Sequence, residues 1–295
     1  GIIYAQPLPT TDSVFVASFD GKVRVLSRSS GAPQGDAPIF PPEQKPKNRS
    51  LVAAPALSGD TLLIAAANQL HAIDRSTGQP RWPQPFEAED RIWASPVVVD
   101  DLVIFGSLDR RLYAVKVSTG VEAWRFEAGG GIASTPLVAE GVIYFGSFDG
   151  NLYAVGKDGR PRWPAPFPVG KWVWSHPLYN AGTVYFGALN GVFYAVDAAT
   201  GRERWHQDIG KAIRAAPALE AGVMAVATTA GGVYGMDPAY GTPLWERALS
   251  EDQSITTSGD LVGYGGEIYI ASDQGTVYAL EAKTGKLAWS FPLKR

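Results

Sequence analysis

With 295 residues, 45% of them hydrophobic and 19% charged, the chain can bury a large core, and disorder does not fit that composition. A formal charge of −3 speaks against a broadly basic, nucleic-acid-binding surface and leaves only local basic patches open. The absence of cysteine excludes disulfides, thiolate metal sites and cysteine nucleophiles, and no apolar run reaches the roughly 18 residues of a membrane-spanning helix.

No signal peptide opens the sequence, and Gly1 reads either as an added residue or as a processed terminus, which leaves room for a longer precursor. From there the elements repeat in chain order. Residues 1–48 carry Pro7 on a short strand, a hairpin turn at Asp20 and a degenerate motif around Gly31, with Phe40 expected in a place that other copies give to Trp. A Pro-rich basic insertion, Pro41 to Ser50, follows and includes Arg49; it is expected as a solvated loop between repeats. Residues 49–90 repeat the plan with Pro55, a third strand holding His71, and Gly78-Gln79-Pro80-Arg81-Trp82. Residues 91–130 have Pro96, a turn at Asp109, and Gly120 to Trp124. Residues 131–170 show the unit most clearly. Pro136 opens it, Val142-Ile143-Tyr144-Phe145-Gly146 is an apolar strand, Asp149-Gly150 is a tight turn, and Leu152 to Val155 lead to Trp163. Residues 171–210, 211–250 and 251–295 follow with Pro177, Pro217 and Gly259, and they end their motifs at Trp205, Trp245 and Trp289.

The Trp-to-Trp spacings are 42, 39, 42, 40 and 44 residues, and the degenerate first copy brings the count to seven. Four short antiparallel strands in such a period make one propeller blade, and a blade cannot bury both of its faces alone. The reading is therefore a single all-β domain, a seven-bladed β-propeller of four-stranded antiparallel blades. Neither end looks like a polar cap, so closure is expected over an open array.

The segments Ala72 to Trp82, Ala114 to Trp124, Ala195 to Trp205 and Ala279 to Trp289 resemble the tryptophan docking motif of the PQQ-like β-propeller repeat family. The resemblance implies that Trp82, Trp124, Trp163, Trp205, Trp245 and Trp289 are structural, each wedged between neighbouring blades. It also offers two functional branches. One holds quinoprotein dehydrogenases using PQQ with calcium. The other holds BamB-like propellers of outer-membrane protein assembly, together with sensor domains fused to membrane kinases.

The enzymatic branch fits poorly. Such dehydrogenases generally have eight blades, long insertions and, in many cases, a vicinal disulfide over the quinone, whereas this chain is compact and has no cysteine. Asp20, Asp109, Asp149, Asp273, Asn68 and Asn190 could tempt as calcium ligands, yet each stands at a hairpin turn where backbone chemistry already favours it. His71 matches Tyr113, Tyr153 and Tyr278 of other copies and reads as a packed position; His206 reads as exposed. The expectation is a non-enzymatic scaffold without cofactor, periplasmic or otherwise extracytoplasmic, recognising a protein or peptide and compatible with a lipid anchor ahead of Gly1. A sensor of PQQ or a related anion is the alternative, and a dehydrogenase fragment a third reading.

Aligning the copies on the inner-strand proline locates a site. Three residues before it stand Trp93, Trp174 and Arg214; five before it stand Arg91 and Trp172; one before it stands His176. One step further out lie Arg49, Lys171 and Lys211. Other copies fill these places with Gly, Ala or Ser, so packing of the repeat does not demand aromatic and cationic residues here. The set is expected to line one mouth of the propeller and to bind a peptide segment or a small anion.

Overall fold

Among the described residues each repeat folds as a meander whose strands pair with their sequence neighbours. The structure is a computed structural model that describes residues 6–18, 20–34, 51–249, 256–257 and 259–292. It is a seven-bladed all-β propeller. Six sheets have four strands, and the first has three among the described residues. No helix occurs among those residues. The chain divides into two compact units, Gly1–Val138 and Ala139–Arg295.

The first unit holds β1 (Leu8–Pro9), β2 (Ser13–Ser18) and β3 (Lys22–Ser27), then β4 (Ala56–Ser58), β5 (Thr61–Ala66), β6 (Gln69–Asp74) and β7 (Phe86–Glu87). Its third sheet is β8 (Val97–Val99), β9 (Leu102–Gly106), β10 (Arg111–Lys116) and β11 (Glu122–Glu127). The boundary falls in β12 (Leu137–Ala139), which begins a sheet continued by β13 (Val142–Gly146), β14 (Asn151–Gly156) and β15 (Phe167–Pro168). The second unit goes on with β16 (Leu178–Asn180), β17 (Thr183–Gly187), β18 (Val192–Asp197) and β19 (Glu203–Asp208). Then come β20 (Ala218–Glu220), β21 (Val223–Ala227), β22 (Gly232–Met236) and β23 (Pro243–Ala248), and finally β24 (Val262–Tyr264), β25 (Glu267–Ala271), β26 (Thr276–Glu281) and β27 (Leu287–Pro292).

The two middle strands of a sheet are buried nearly throughout, as in β9 and β17, because they are covered on both faces. Outer strands such as β11 alternate between half-buried and exposed, the mark of a strand with one solvated face. The innermost strands are three residues long and start just after Pro55, Pro96, Pro136, Pro177 and Pro217, rather than including them as the sequence suggests. A proline has no N–H to give to the ladder, so pairing begins one residue later.

The docking tryptophans are seated within each unit by one contact used repeatedly. Trp82 Nε1 donates to Val117 O at 2.8 Å, Trp163 to Ala198 O at 2.9 Å, Trp205 to Pro238 O at 3.2 Å and Trp245 to Ala282 O at 2.9 Å. Each indole lies on the Gly of the next blade's turn. A Cβ at Gly201, which has φ +71°, would stand 2.7 Å from the Trp163 ring, so only glycine fits both the conformation and the space.

Trp82 and Trp163 sink deepest, at 4% exposure each, and the chain after them explains why. Both are followed by Pro-x-Pro-Phe (83–86 and 164–167), which breaks the outer strand to the two-residue β7 and β15 and turns the chain inward. Phe86 then packs edge-on against the Phe105 and Tyr113 rings, and Phe167 against Phe186 and Tyr194. Trp124 is half-buried, whereas Trp289 on β27 is 43% exposed.

Candidate functional site

The candidate residues lie on the extended leaders that precede the innermost strands, and each leader is pinned by one buried aliphatic side chain. Ile92, Ile132, Val173 and Ile213 are at most 1% exposed. Ile132 packs on Gly106, Val173 on Gly146 and Ile213 on Gly187, so closely that a Cβ on those glycines would sit 2.2, 2.4 and 2.1 Å from them. With that residue fixed inward, alternation along extended chain turns its neighbours outward. Thus Val173, Ser175 and Pro177 are buried, while Trp172, Trp174 and His176 face the other way.

In the first unit this places Arg91 exposed and Trp93 half-buried on one leader. Arg91 O accepts from Leu108 N at 2.9 Å, which ties the leader to the turn after β9. Ala54 N donates to Ser95 Oγ at 2.9 Å, and Ser95 N to Thr135 Oγ1 at 3.1 Å, linking three successive leaders. Arg49 and the Pro41–Arg49 segment fall outside the described residues.

The second unit gathers more. Trp172, 48% exposed, stacks on Phe148 with ring centroids 4.5 Å apart and planes 16° from parallel. Trp174 leans on the same Phe148 at 5.0 Å. On its leader, Arg214 lays its guanidinium over the Trp174 ring, Cζ 4.2 Å from the centroid. Such a cation–π contact contributes about 1–2 kcal/mol when partly desolvated. The Arg214 Nε is buried and has no hydrogen-bond partner among the described residues, a state that costs about 1–3 kcal/mol. Lys171 and Lys211 are exposed at the starts of these two leaders.

His176 is the other member of the Trp174 face. Its Nδ1 lies 2.8 Å from Asp260 Oδ2, and Asp260 Oδ1 accepts from Ala216 N at 2.7 Å, so one carboxylate joins leaders from two other blades. Burial alone would raise the Asp260 pKa. Attraction to His176, the hydrogen bond from His176 and the Ala216 N–H outweigh it and hold the carboxyl below its usual range. The buried Ser175 hydroxyl bonds to backbone carbonyls, Ala215 O at 2.9 Å and His176 O at 3.3 Å.

Sequence reasoning missed two of these contributors. Phe148 was hidden in the Gly146-Ser147-Phe148-Asp149-Gly150 turn, whose Asp-Gly pair explains the turn without it. Asp260 occupies the place of Ser95, Thr135, His176 and Ala216 in other copies, with Leu261 in that of the inner proline and Val262 opening β24; aligning the last copy on Gly259 instead shifted it by two residues and hid the carboxylate.

Among the described residues no three His, Asp or Glu side chains gather as metal ligands would, and the turn side chains are engaged by nearby donors. Asp109 Oδ2 accepts from Tyr113 Oη at 2.8 Å and from Glu89 N at 3.0 Å, and Asp109 Oδ1 from Arg111 N. Asp149 serves Asn151 N and Tyr153 Oη in the same way in its own blade, and Asn190 serves Val192 N and Tyr194.

The family model described as "Outer membrane protein assembly factor BamB" matches residues 19–171 and 149–295, nearly the whole chain. The chain belongs to the BamB family. Among solved structures it is similar to BamB from Moraxella catarrhalis, with a TM-score of 0.81 at 20% identity over 98% of this chain and 85% of that one. The computationally designed Ika8 protein has a TM-score of 0.80 at 16% identity, over 98% of this chain and 86% of its own. At these identities the likeness to the two structures is one of fold. No curated protein matches. Within the BamB-family propeller described here, then, the aromatic and cationic side chains on the second unit's leaders are what distinguishes one part of a repetitive surface from the rest.

Proposed function

We propose that this BamB-family propeller is a non-catalytic scaffold that works outside the cytoplasm, in the periplasm, and recognises a protein or peptide partner through the Trp172–Trp174–Arg214 face. The observation that carries the reading is Trp172: an indole nearly half exposed, held flat by Phe148 beside the Arg214–Trp174 stack. Large aromatics with arginine are the composition of interface hot spots, and an ordered, pre-stacked indole loses little freedom on binding. Family membership supports envelope proteins as partners and an assembly role. No cofactor belongs to this reading.

The test is capture of the periplasmic portion of the cell's outer-membrane barrel assembly components by the immobilised full chain. Trp172→Ala and Trp174→Ala should each weaken capture about 30-fold or more, as loss of a hot-spot side chain does. Trp172→Ala should lower the melting temperature only slightly, because the ring is nearly half exposed and loses one stacking contact. Undiminished capture by both variants would dismiss this face. Dye-linked oxidation of alcohols with PQQ and calcium added would overturn the non-catalytic claim.

A further inference from the structure

Two cationic or donor groups on the second unit stand side by side with capacity unused. Trp174 and His176 are two residues apart on one extended leader and face the same way, so their Cα atoms are at most about 7 Å apart. Arg214 covers Trp174, and the next outward residue of its leader, Ala216, is joined to His176 through Asp260. Arg214 and His176 are therefore neighbouring rungs of one ladder. Arg214 makes no ion pair among the described residues and keeps a buried Nε–H unpartnered. The His176 ring is fixed at Nδ1 by Asp260, with its side chain 30% exposed. A carboxylate bound to a guanidinium whose Nε–H is otherwise buried and unpartnered removes a desolvation cost already present in the free protein.

We propose that this ladder is a receptor for a carboxylate attached to a flat apolar group, the carboxylate pairing with Arg214 beside His176 and the apolar group lying on Trp172. The proposal rests on the face assigned above and specifies the chemistry it takes. Arginine's planar fork matches a carboxylate. Asp260, one imidazole away, repels a second negative charge, which disfavours a phosphate dianion. The exposed Trp172, already backed by Phe148 on one side, supplies a platform for the apolar part.

The experiment uses the full chain and calorimetric titration. The probes are phenylacetate, phenylacetamide, phenyl phosphate, and an N-acetyl-Gly-Gly-Phe peptide as free acid and as amide. Phenylacetate or the free-acid peptide should bind at least about tenfold more tightly than its amide, and phenyl phosphate more weakly than phenylacetate. Binding by the small acid alone assigns a free metabolite-like acid as the source; binding by the peptide assigns a chain terminus or acidic segment of a partner. Arg214→Gln should abolish the preference for acid over amide, and Arg214→Lys should weaken it severalfold, with melting curves confirming that both variants fold. Trp172→Ala should weaken acid and amide alike. Equal binding of acid and amide, no saturable binding of any probe, or an unchanged preference in Arg214→Gln overturns the proposal. If that happens while Trp172→Ala still loses partner capture, the scaffold reading survives. If carboxylate binding is present while capture is untouched by Trp172→Ala and Trp174→Ala, the scaffold reading falls and the receptor stands.

Discussion

On β6, His71 stands where Tyr113, Tyr153 and Tyr194 stand in other blades, and the preceding turn explains the exchange. Those tyrosines bond to Asp109, Asp149 or Asn190 four residues earlier, across a long turn. In the His71 blade, Ala66 pairs directly with Gln69, the turn is two residues, and Ala67 occupies the acceptor's place. A phenol there would lose its partner. The imidazole is 7% exposed, and burial pushes its pKa down to about 4. Above pH 6.5 the ring is neutral both folded and unfolded. As pH falls from 6.5 towards 4, the unfolded chain takes up a proton that the native state refuses, so stability drops by about 3 kcal/mol. His71→Phe should remove most of this loss. Urea midpoints at pH 7 and pH 4.5 measure it, and an equal acid loss in wild type and variant would contradict the buried neutral ring.

Among elements, the hairpins between the first two strands of four sheets carry local strain, with Asp100, Glu140, Ala181 and Ala221 at positive φ. At the β16–β17 hairpin Asn180 pairs with Thr183, and Ala181 and Gly182 have φ of 44° and 76°; Ala221 and Gly222 repeat this with 50° and 81°. Two positive-φ residues make the type I′ turn that suits twisted strands, where asparagine precedes glycine best and alanine is strained. Ala181 is exposed, so Ala181→Asn should stabilise by about 0.5–1 kcal/mol, read as a higher urea midpoint at an unchanged slope. A lower midpoint would mean that the side chain meets something other than solvent. The Asp149-Gly150 turn between second and third strands was legible from its residue pair, and the strands from their β-branched and aromatic runs, whereas the Ala-Gly pairs between first and second strands went unread. The two-residue outer strands were not read, although Trp-Pro-x-Pro-Phe spells them: the Trp motif drew attention to packing, and the proline's effect on the ladder went unused. Phe148 and Asp260 were hard to see for another reason. Their partners Trp172, Trp174 and His176 lie in other blades, tens of residues away, and a repeat alignment compares equivalent positions rather than touching ones.

Across the whole molecule, sheet pairing is local, and contacts between neighbouring blades recur at one repeat's distance, as the Trp205 Nε1 bond to Pro238 O and the Trp245 bond to Ala282 O illustrate. That is why a period of roughly 42 residues revealed the architecture so directly, each copy restating the same packing instructions. It also means that damage should spread by neighbours. Trp205 is half-buried, tilted against Tyr185 and Phe193, and seated on the Gly241 turn of the following blade. Trp205→Ala therefore strips one interface and should cost about 3 kcal/mol, at the low end for a buried aromatic. Native-state hydrogen exchange should rise in β18 through β23, the strands that flank this indole, and stay near wild-type values in β13 to β15 and in β25 to β27. The alternative, a uniform rise over every peptide, would follow if the blades opened only as one cooperative body; the indole would then act as a clamp on the entire second unit rather than as mortar between two blades.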